Sequence, residues 1–238
     1  ATRVRPERRT RIDILVSVAI VAVLAVGATV VWYVSPARHT ESEPSSPAPD
    51  VAVAGSVPER VTTAWRAASD ATTIPAIAES VVITGDGGQV TGRDPVTGRE
   101  RWLYRRDLPL CQTAAAWPTS NDETLAVYRN SRGCGEVTAL DSSTGRRVGS
   151  RSSDADPAIR LVTDSGYVVS QGDTRLETWG SNLVRGIEYG RVDAPVKPGV
   201  QPGRTDCRLL SSAVGGDRVA VIERCAKDPG YRLTVLGA

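Results

Sequence analysis

The chain has no phenylalanine and no methionine, one histidine, and aromatic side chains at only 5% of its 238 positions. Each shortage excludes something. Without Phe or Met, any core must be built from Val, Leu, Ile and Ala with a few Trp and Tyr. The one histidine, His39, lies in a Pro/Ser/Glu-rich stretch. The rest of the chain therefore lacks the base used by most nucleophile–base catalysis and by most His-bearing metal sites. None of the four cysteines forms a C-x-x-C or an adjacent pair, which argues against zinc. Lysine is confined to Lys197 and Lys227. Arginine carries the positive charge, a bias of GC-rich bacterial genomes that says nothing about chemistry. The net charge of +2 comes from residues 1–13, where five arginines face Glu7 and Asp13. The remainder is near neutral, so no nucleic-acid surface is expected.

What the chain does have begins with "ILVSVAIVAVLAVGATVVWYV", Ile14 to Val34, free of charge and of proline. At about 1.5 Å per residue this run spans roughly 30 Å, the hydrocarbon thickness of a bilayer. Trp32 and Tyr33 stand at its far end, where amphipathic rings favour the interface. No face of the run is polar, unlike a soluble amphipathic helix. It is longer than the apolar region of a cleaved signal and lacks a small-x-small site. An uncleaved single-pass anchor is therefore expected. The arginines before it put the N-terminus in the cytoplasm and the rest outside. This gives four segments: a basic cytoplasmic stub (1–13), a transmembrane helix (14–34), a Pro/Ser-rich linker acting as a spacer (35–59), and a folded region (60–238).

Val, Thr and Gly with frequent Gly/Asp punctuation make the folded region all-β. A short apolar strand after an acidic or Gly-bearing turn recurs as "AESVVI", "NDETLAV", "DSGYVV" and "GGDRVAVI", and each is followed by a second strand. The turn in "VTGRDPVTGRERW" (Val90–Trp102) returns in "VTALDSSTGRR" (Val137–Arg147). In each D-x-x-T-G the Asp accepts hydrogen bonds from N–H groups ahead of it, and Gly98 or Gly145 supplies the positive φ of a bulged hairpin. "TGDGGQV", lying between two strands, reads as a hairpin and not as a phosphate cradle. "SNDET" reads as a solvated turn. The pattern predicts four units of up to four antiparallel strands, at a period fitting β-propeller blades. "RVTTAWRAAS" (Arg60–Ser69) reads as a lone outer strand.

The pattern V-T-x-x-D-x-x-T-G-x-x-x-W resembles the repeat of the PQQ-like, or quinoprotein-dehydrogenase-like, propellers. "VTGRDPVTGRERW" matches it throughout, "VTALDSSTGRRVG" up to the aromatic, and "LETWGSNLVRGIEY" only in its strands. The resemblance implies about four blades belonging to a larger propeller, with Trp102 packing on the adjacent blade. Enzymes of that family use a calcium-bound quinone and a ring disulfide between adjacent cysteines. No such pair is present here, so neither cofactor nor catalysis is expected.

Four cysteines allow three pairings. Cys111 and Cys207 start the first strands of the second and fourth units, Cys134 lies between the second and third strands of the second unit, and Cys225 ends the second strand of the fourth. The repeat therefore predicts Cys111–Cys134 and Cys207–Cys225, bonds that persist outside the membrane. Arg99, Arg101, Arg105 and Arg106, interleaved with Trp102 and Tyr104, form a candidate binding surface, although alternating charges also guard an exposed edge. The expected function is a non-enzymatic, membrane-anchored scaffold in the cell envelope, partnered with an envelope or membrane protein. The alternatives are a glycan or small-molecule sensing module and a degenerate quinoprotein-type enzyme.

Overall fold

A computed structural model of the chain describes residues 10–51, 55–78, 80–164, 166–192 and 204–237. Residues 1–9 of the basic stub, residues 52–54 of the linker and residues 193–203 lie outside them. The chain divides into two compact units, Ala1–Thr40 and Glu41–Ala238.

In the first unit, α1 (Arg11–Val34) opens on a capping box. Thr10 Oγ accepts from the Asp13 N–H at 3.3 Å, and the Asp13 carboxylate accepts from the Thr10 N–H at 2.7 Å. This satisfies two of the four N–H groups that a helix start leaves open. Its 24 residues are long and apolar enough to cross a membrane. Beyond its end, Arg38 stacks its guanidinium over Tyr33 and Trp32, 4.2 and 5.1 Å from the ring centroids.

The second unit consists of four antiparallel sheets. The first is β2 (Ala76–Ala78), β3 (Val81–Asp86), β4 (Gln89–Arg93) and β5 (Glu100–Arg106), with β1 (Thr40–Glu43) added beside β5. The second is β6 (Leu110–Ala116), β7 (Glu123–Asn130), β8 (Gly133–Asp141) and β9 (Arg147–Ser152). The third is β10 (Arg160–Thr163), β11 (Val168–Gln171), β12 (Arg175–Trp179) and β13 (Arg185–Gly190). The fourth is β14 (Cys207–Gly215), β15 (Arg218–Cys225) and β16 (Arg232–Gly237). Apart from β1, all four run as meanders, each strand pairing with its neighbour in sequence.

Side-chain alternation turns this order into three cores, one between each successive pair of sheets. Ile83, Val90, Trp102 and Tyr104 of the first sheet meet Ala126, Tyr128 and Leu140 of the second. The opposite face of the second sheet, Leu125, Val127, Val137 and Ala139, meets Leu161, Val168 and Trp179 of the third. Val169, Leu176 and Tyr189 of the third then meet Leu209, Val219 and Val221 of the fourth.

The repeated D-x-x-T-G turn closes the last hairpin of the first two sheets and locks each to what precedes it. Asp94 Oδ1 accepts from Thr97 N–H at 2.7 Å, the Thr97 hydroxyl at 2.8 Å and Val96 N–H at 3.1 Å. Asp141 repeats this with Thr144 at 2.8 and 2.7 Å. Gly98 and Gly145 sit at φ +71° and +73°. A Cβ on Gly145 would lie 2.6 Å from the Trp102 ring, and one on Gly98 equally close to Trp65. The Trp102 indole N–H donates to Ser142 C=O at 2.8 Å, and the Trp65 indole to Pro95 C=O at 2.9 Å. A tryptophan thus clamps each turn, with the glycine making room for its ring. The second sheet has Gly149 where the first has Trp102. There the third sheet supplies Leu183, its Cδ1 lying 3.4 Å from where a Gly149 Cβ would be.

These turn hydrogen bonds hold the Asp94 carboxyl below the ordinary aspartate range, chiefly through the Thr97 N–H and then its hydroxyl. A depressed folded value stabilises above the unfolded value and is lost as pH falls through the folded one. The stability gap between the protein and Asp94→Asn is thus expected to be constant above about pH 5 and to close in more acid solution. Urea midpoints measured from neutral to acid pH would show it, and a gap that did not change would refute the turn's role.

Two expectations are corrected. Residues 60–69 are not an outer strand: they are irregular, and Trp65 serves as a clamp on the first sheet. The linker is not a free spacer over its whole length either. Beyond β1, Ser45 N–H donates to Thr144 C=O at 2.9 Å, Ala48 N–H to Ser143 Oγ at 2.7 Å and Val51 N–H to Ser80 Oγ at 3.2 Å. Proline-rich sequence lacks apolar surface, but its backbone donors find exposed turn oxygens on the sheets.

Candidate functional site

β5 and the turn before it carry the four arginines singled out from the sequence. Arg101 donates to the carbonyls of Ser46 and Pro47 at 3.4 and 3.3 Å. Arg105 pairs with Glu41 at 3.0 Å and hydrogen-bonds Gln89 Oε1. Arg106 lies over the Tyr128 ring of the second sheet, 5.3 Å from its centroid. Arg99 alone is exposed at the turn. The set is therefore spread over two tasks, holding residues 41–47 against the first sheet and bridging to the second. Because the Arg105–Glu41 pair is half exposed, Arg105→Ala should change stability by less than about 1 kcal/mol. The double variant Arg101→Ala/Arg105→Ala should instead speed proteolytic cutting between residues 44 and 51 while the sheets stay intact, as read by limited proteolysis. Unchanged cutting would show that these arginines do not hold the segment.

The cysteines form Cys111–Cys134, with Cα atoms 6.1 Å apart, and Cys207–Cys225, at 3.9 Å. This is the pairing expected from the repeat, although the two bonds are not equivalent. Cys207 lies directly opposite Cys225 on adjacent strands, whereas Cys134 belongs to the start of β8 and reaches across the sheet's end to β6.

Beside Cys225, Glu223 is wholly buried. Its Oε1 accepts from Thr234 Oγ at 2.7 Å and from Tyr189 Oη of the third sheet at 2.8 Å, with Arg204 Nε 3.9 Å away. Burial is the main cause that raises the Tyr189 phenol above its ordinary value, and its bond to Glu223 adds to the effect. Cys207, Glu223 and Cys225 bring possible metal ligands together, but both sulfurs are already consumed in the disulfide, which leaves one carboxylate. A second buried group compensates the lost D-x-x-T-G turn of the third sheet. Glu177 accepts from Arg175 at 2.8 Å, Arg151 of the second sheet at 3.0 Å and the Trp179 indole at 3.0 Å. Arg175 and Arg185 also hold Glu188. Removing one member would strand a buried charge, so this network acts as a structural joint. Sequence reasoning missed both groups. Glu177 has one signal, a glutamate at a strand position where the equivalent residues are Thr91 and Thr138.

"SNDET" is not a solvated turn. Asp122 and Glu123 are buried, and burial raises the Glu123 carboxyl despite a 3.0 Å bond from Asn121. "TGDGGQV" is the β3–β4 hairpin, with Asp86 opposite Gln89.

The inner strands frame an open cavity of about 690 Å³, lined by Ile74, Pro75, Ala114, Leu161, Val162 and Ser212. Gln112 ties its wall together, accepting from Leu161 N–H at 2.7 Å and donating to Thr73 Oγ. The walls are mostly apolar, with no nucleophile–base pair among the described lining residues.

No protein-family model matches the chain, and no curated protein matches it. Function must then be read from the fold and these sites alone.

Proposed function

We propose that the chain is a single-pass, membrane-anchored β-propeller of the PQQ-like kind, displayed outside the cytoplasm as a non-enzymatic scaffold for envelope proteins. The observation that carries this reading is the face-to-face stacking of four successive meanders through three apolar cores, the first two meanders joined by the Trp102 clamp. This is how blades are arrayed about an axis. Two disulfides fit an oxidising compartment, and α1 is long and apolar enough to anchor the chain. The chain's only histidine, His39, precedes β1 in the sequence.

The test is chemical cross-linking in intact cells, solubilisation of the membranes, and capture of the full chain. The expected result is a stoichiometric envelope or membrane protein cross-linked to the sheets. Capture of nothing but the chain itself would overturn the reading. The cavity favours a second reading, a module binding glycans or small molecules. A thermal shift of the full chain with cell-wall fragments, abolished by Leu161→Arg, would replace the first reading with this one.

A further inference from the structure

The fourth sheet ends in a face that its three predecessors bury. Strand register places Val90, Val137, Leu176 and Leu233 at one equivalent position, each on the face turned toward the following sheet. Their exposures are 0%, 1%, 0% and 66%. The next position on that face holds Gly92, Ala139, Thr178 and Val235. The first three are buried, whereas Val235 is 58% exposed. Ile222, opposite Leu233, and Leu210 extend the same apolar face. At one end of it Arg208 and Arg224 stand directly opposite each other, with Asp173 3.6 Å from Arg208 and the Tyr231 ring centroid 5.6 Å from Arg224.

The first sheet cannot cover this face. The side it would have to offer carries Thr84, Asp86, Gln89, Thr91 and Arg93, with Arg66–Ala68 lying over them. In the three existing interfaces the receiving side is mainly apolar, as with Leu209, Val219 and Val221, and its buried acids Glu177 and Glu223 are each met by a donor of the preceding sheet, Arg151 and Tyr189. Closing the four sheets on themselves would press exposed Asp86 and the Arg93–Glu100 pair against Leu233 and Val235, which offer no donor or acceptor, at several kcal/mol per ion. A second copy docked head to tail meets the same obstacle.

We infer that the face of Ile222, Leu233 and Val235 is covered by a fifth antiparallel sheet of the same repeat, formed by polypeptide that follows residue 238. In every existing interface the covering sheet is the next one in sequence, which identifies the source. β16 stands where β4, β8 and β12 stand, and each of those has an outer neighbour. The incoming polypeptide thus adds an outer strand to β16 before forming its own sheet. It presents aliphatic side chains at its centre, against Leu233 and Val235. This inference rests on the propeller reading only for the repeat's geometry.

The test uses the natural polypeptide in native membranes, with Leu233→Cys, Val235→Cys and, as reference, the exposed Val148→Cys introduced singly. All four native cysteines are in disulfides, so maleimide labelling reports the new thiol alone. Positions 233 and 235 should label at least tenfold more slowly than position 148, in a chain heavier than 25.2 kDa, and equally fast after denaturation. Three results would overturn the inference: equal rates in the folded protein, a natural chain no heavier than this one, or a 233–233 cross-link between two chains under oxidant. If a variant misfolds, seen as loss of protease resistance, Ile222→Cys takes its place. Electron microscopy of the same protein separates the two ideas. Protected thiols in an open row of sheets would refute the propeller and leave the fifth sheet standing.

Discussion

Trp102→Ala is expected to lower unfolding free energy by about 3–5 kcal/mol, the range for a large aromatic deleted from a packed core. The side chain is 1% exposed and does three things at once. Its ring fills the space between β5 and the Gly145 turn of the next sheet. Its edge contributes to the core shared by the first two sheets. Its N–H satisfies the buried Ser142 carbonyl at 2.8 Å. Truncation leaves a cavity and an unpaired acceptor, and the second adds about 1–3 kcal/mol where water cannot enter. Trp102→Phe should recover most of the packing but not the hydrogen bond, and so fall between. Gly145→Ala approaches the same contact from the other side, forcing a Cβ against the ring at positive φ. Trp65→Ala should cost less, because Trp65 is only half-buried. Urea unfolding of the full chain in detergent would rank the four. A loss below about 1 kcal/mol for Trp102→Ala would mean that the sheets do not depend on the clamp.

The clamp also explains how much of the fold is legible in the sequence. Asp94, Thr97 and Gly98 announce a turn because each residue type has one geometric reason to be there. Its recurrence at Asp141, Thr144 and Gly145 announces a repeated unit. Val and Leu alternating with polar residues then give the strands, and cysteines at like places in two units give the disulfides. Compensation between neighbours is not legible. Gly149 looks like a simple loss of the aromatic, yet Leu183 from another sheet fills its place. Glu177 and Glu223 read as solvent-facing charges on strands, since only the packing of the preceding sheet decides that they are enclosed. The arginines of β5 looked like a ligand surface because sequence shows charge and hides who answers it. Their partners are Glu41, two carbonyls at 46 and 47, and the Tyr128 ring, all far off in sequence. A proline-rich segment that packs through its backbone leaves no apolar pattern to read.

Each of the two disulfides should contribute about 3 kcal/mol by shortening the unfolded chain's loops, which span 23 and 18 residues. For a unit of this size that corresponds to a fall in Tm of roughly 6–12 °C per bond. Cys111→Ser/Cys134→Ser and Cys207→Ser/Cys225→Ser are the variants to compare, each against the oxidised parent. The second should cost more than loop entropy alone. Cys207 is the first residue of β14 and Cys225 the last of β15, and fully buried Glu223 lies on the same face of β15 as Cys225. Freeing that end of the sheet lets water reach the carboxylate and loosens its bonds to Tyr189 and Thr234. Tyr189 reports this directly: its phenol, raised chiefly by burial, should titrate closer to its ordinary value of about 10 once the 207–225 bond is gone. Loss of the 111–134 bond should leave that titration in place, because its two cysteines sit on the second sheet, one interface removed. Spectrophotometric tyrosine titration beside thermal melts would separate the two. Equal melts and an unmoved tyrosine in both variants would show that neither bond does more than close a loop.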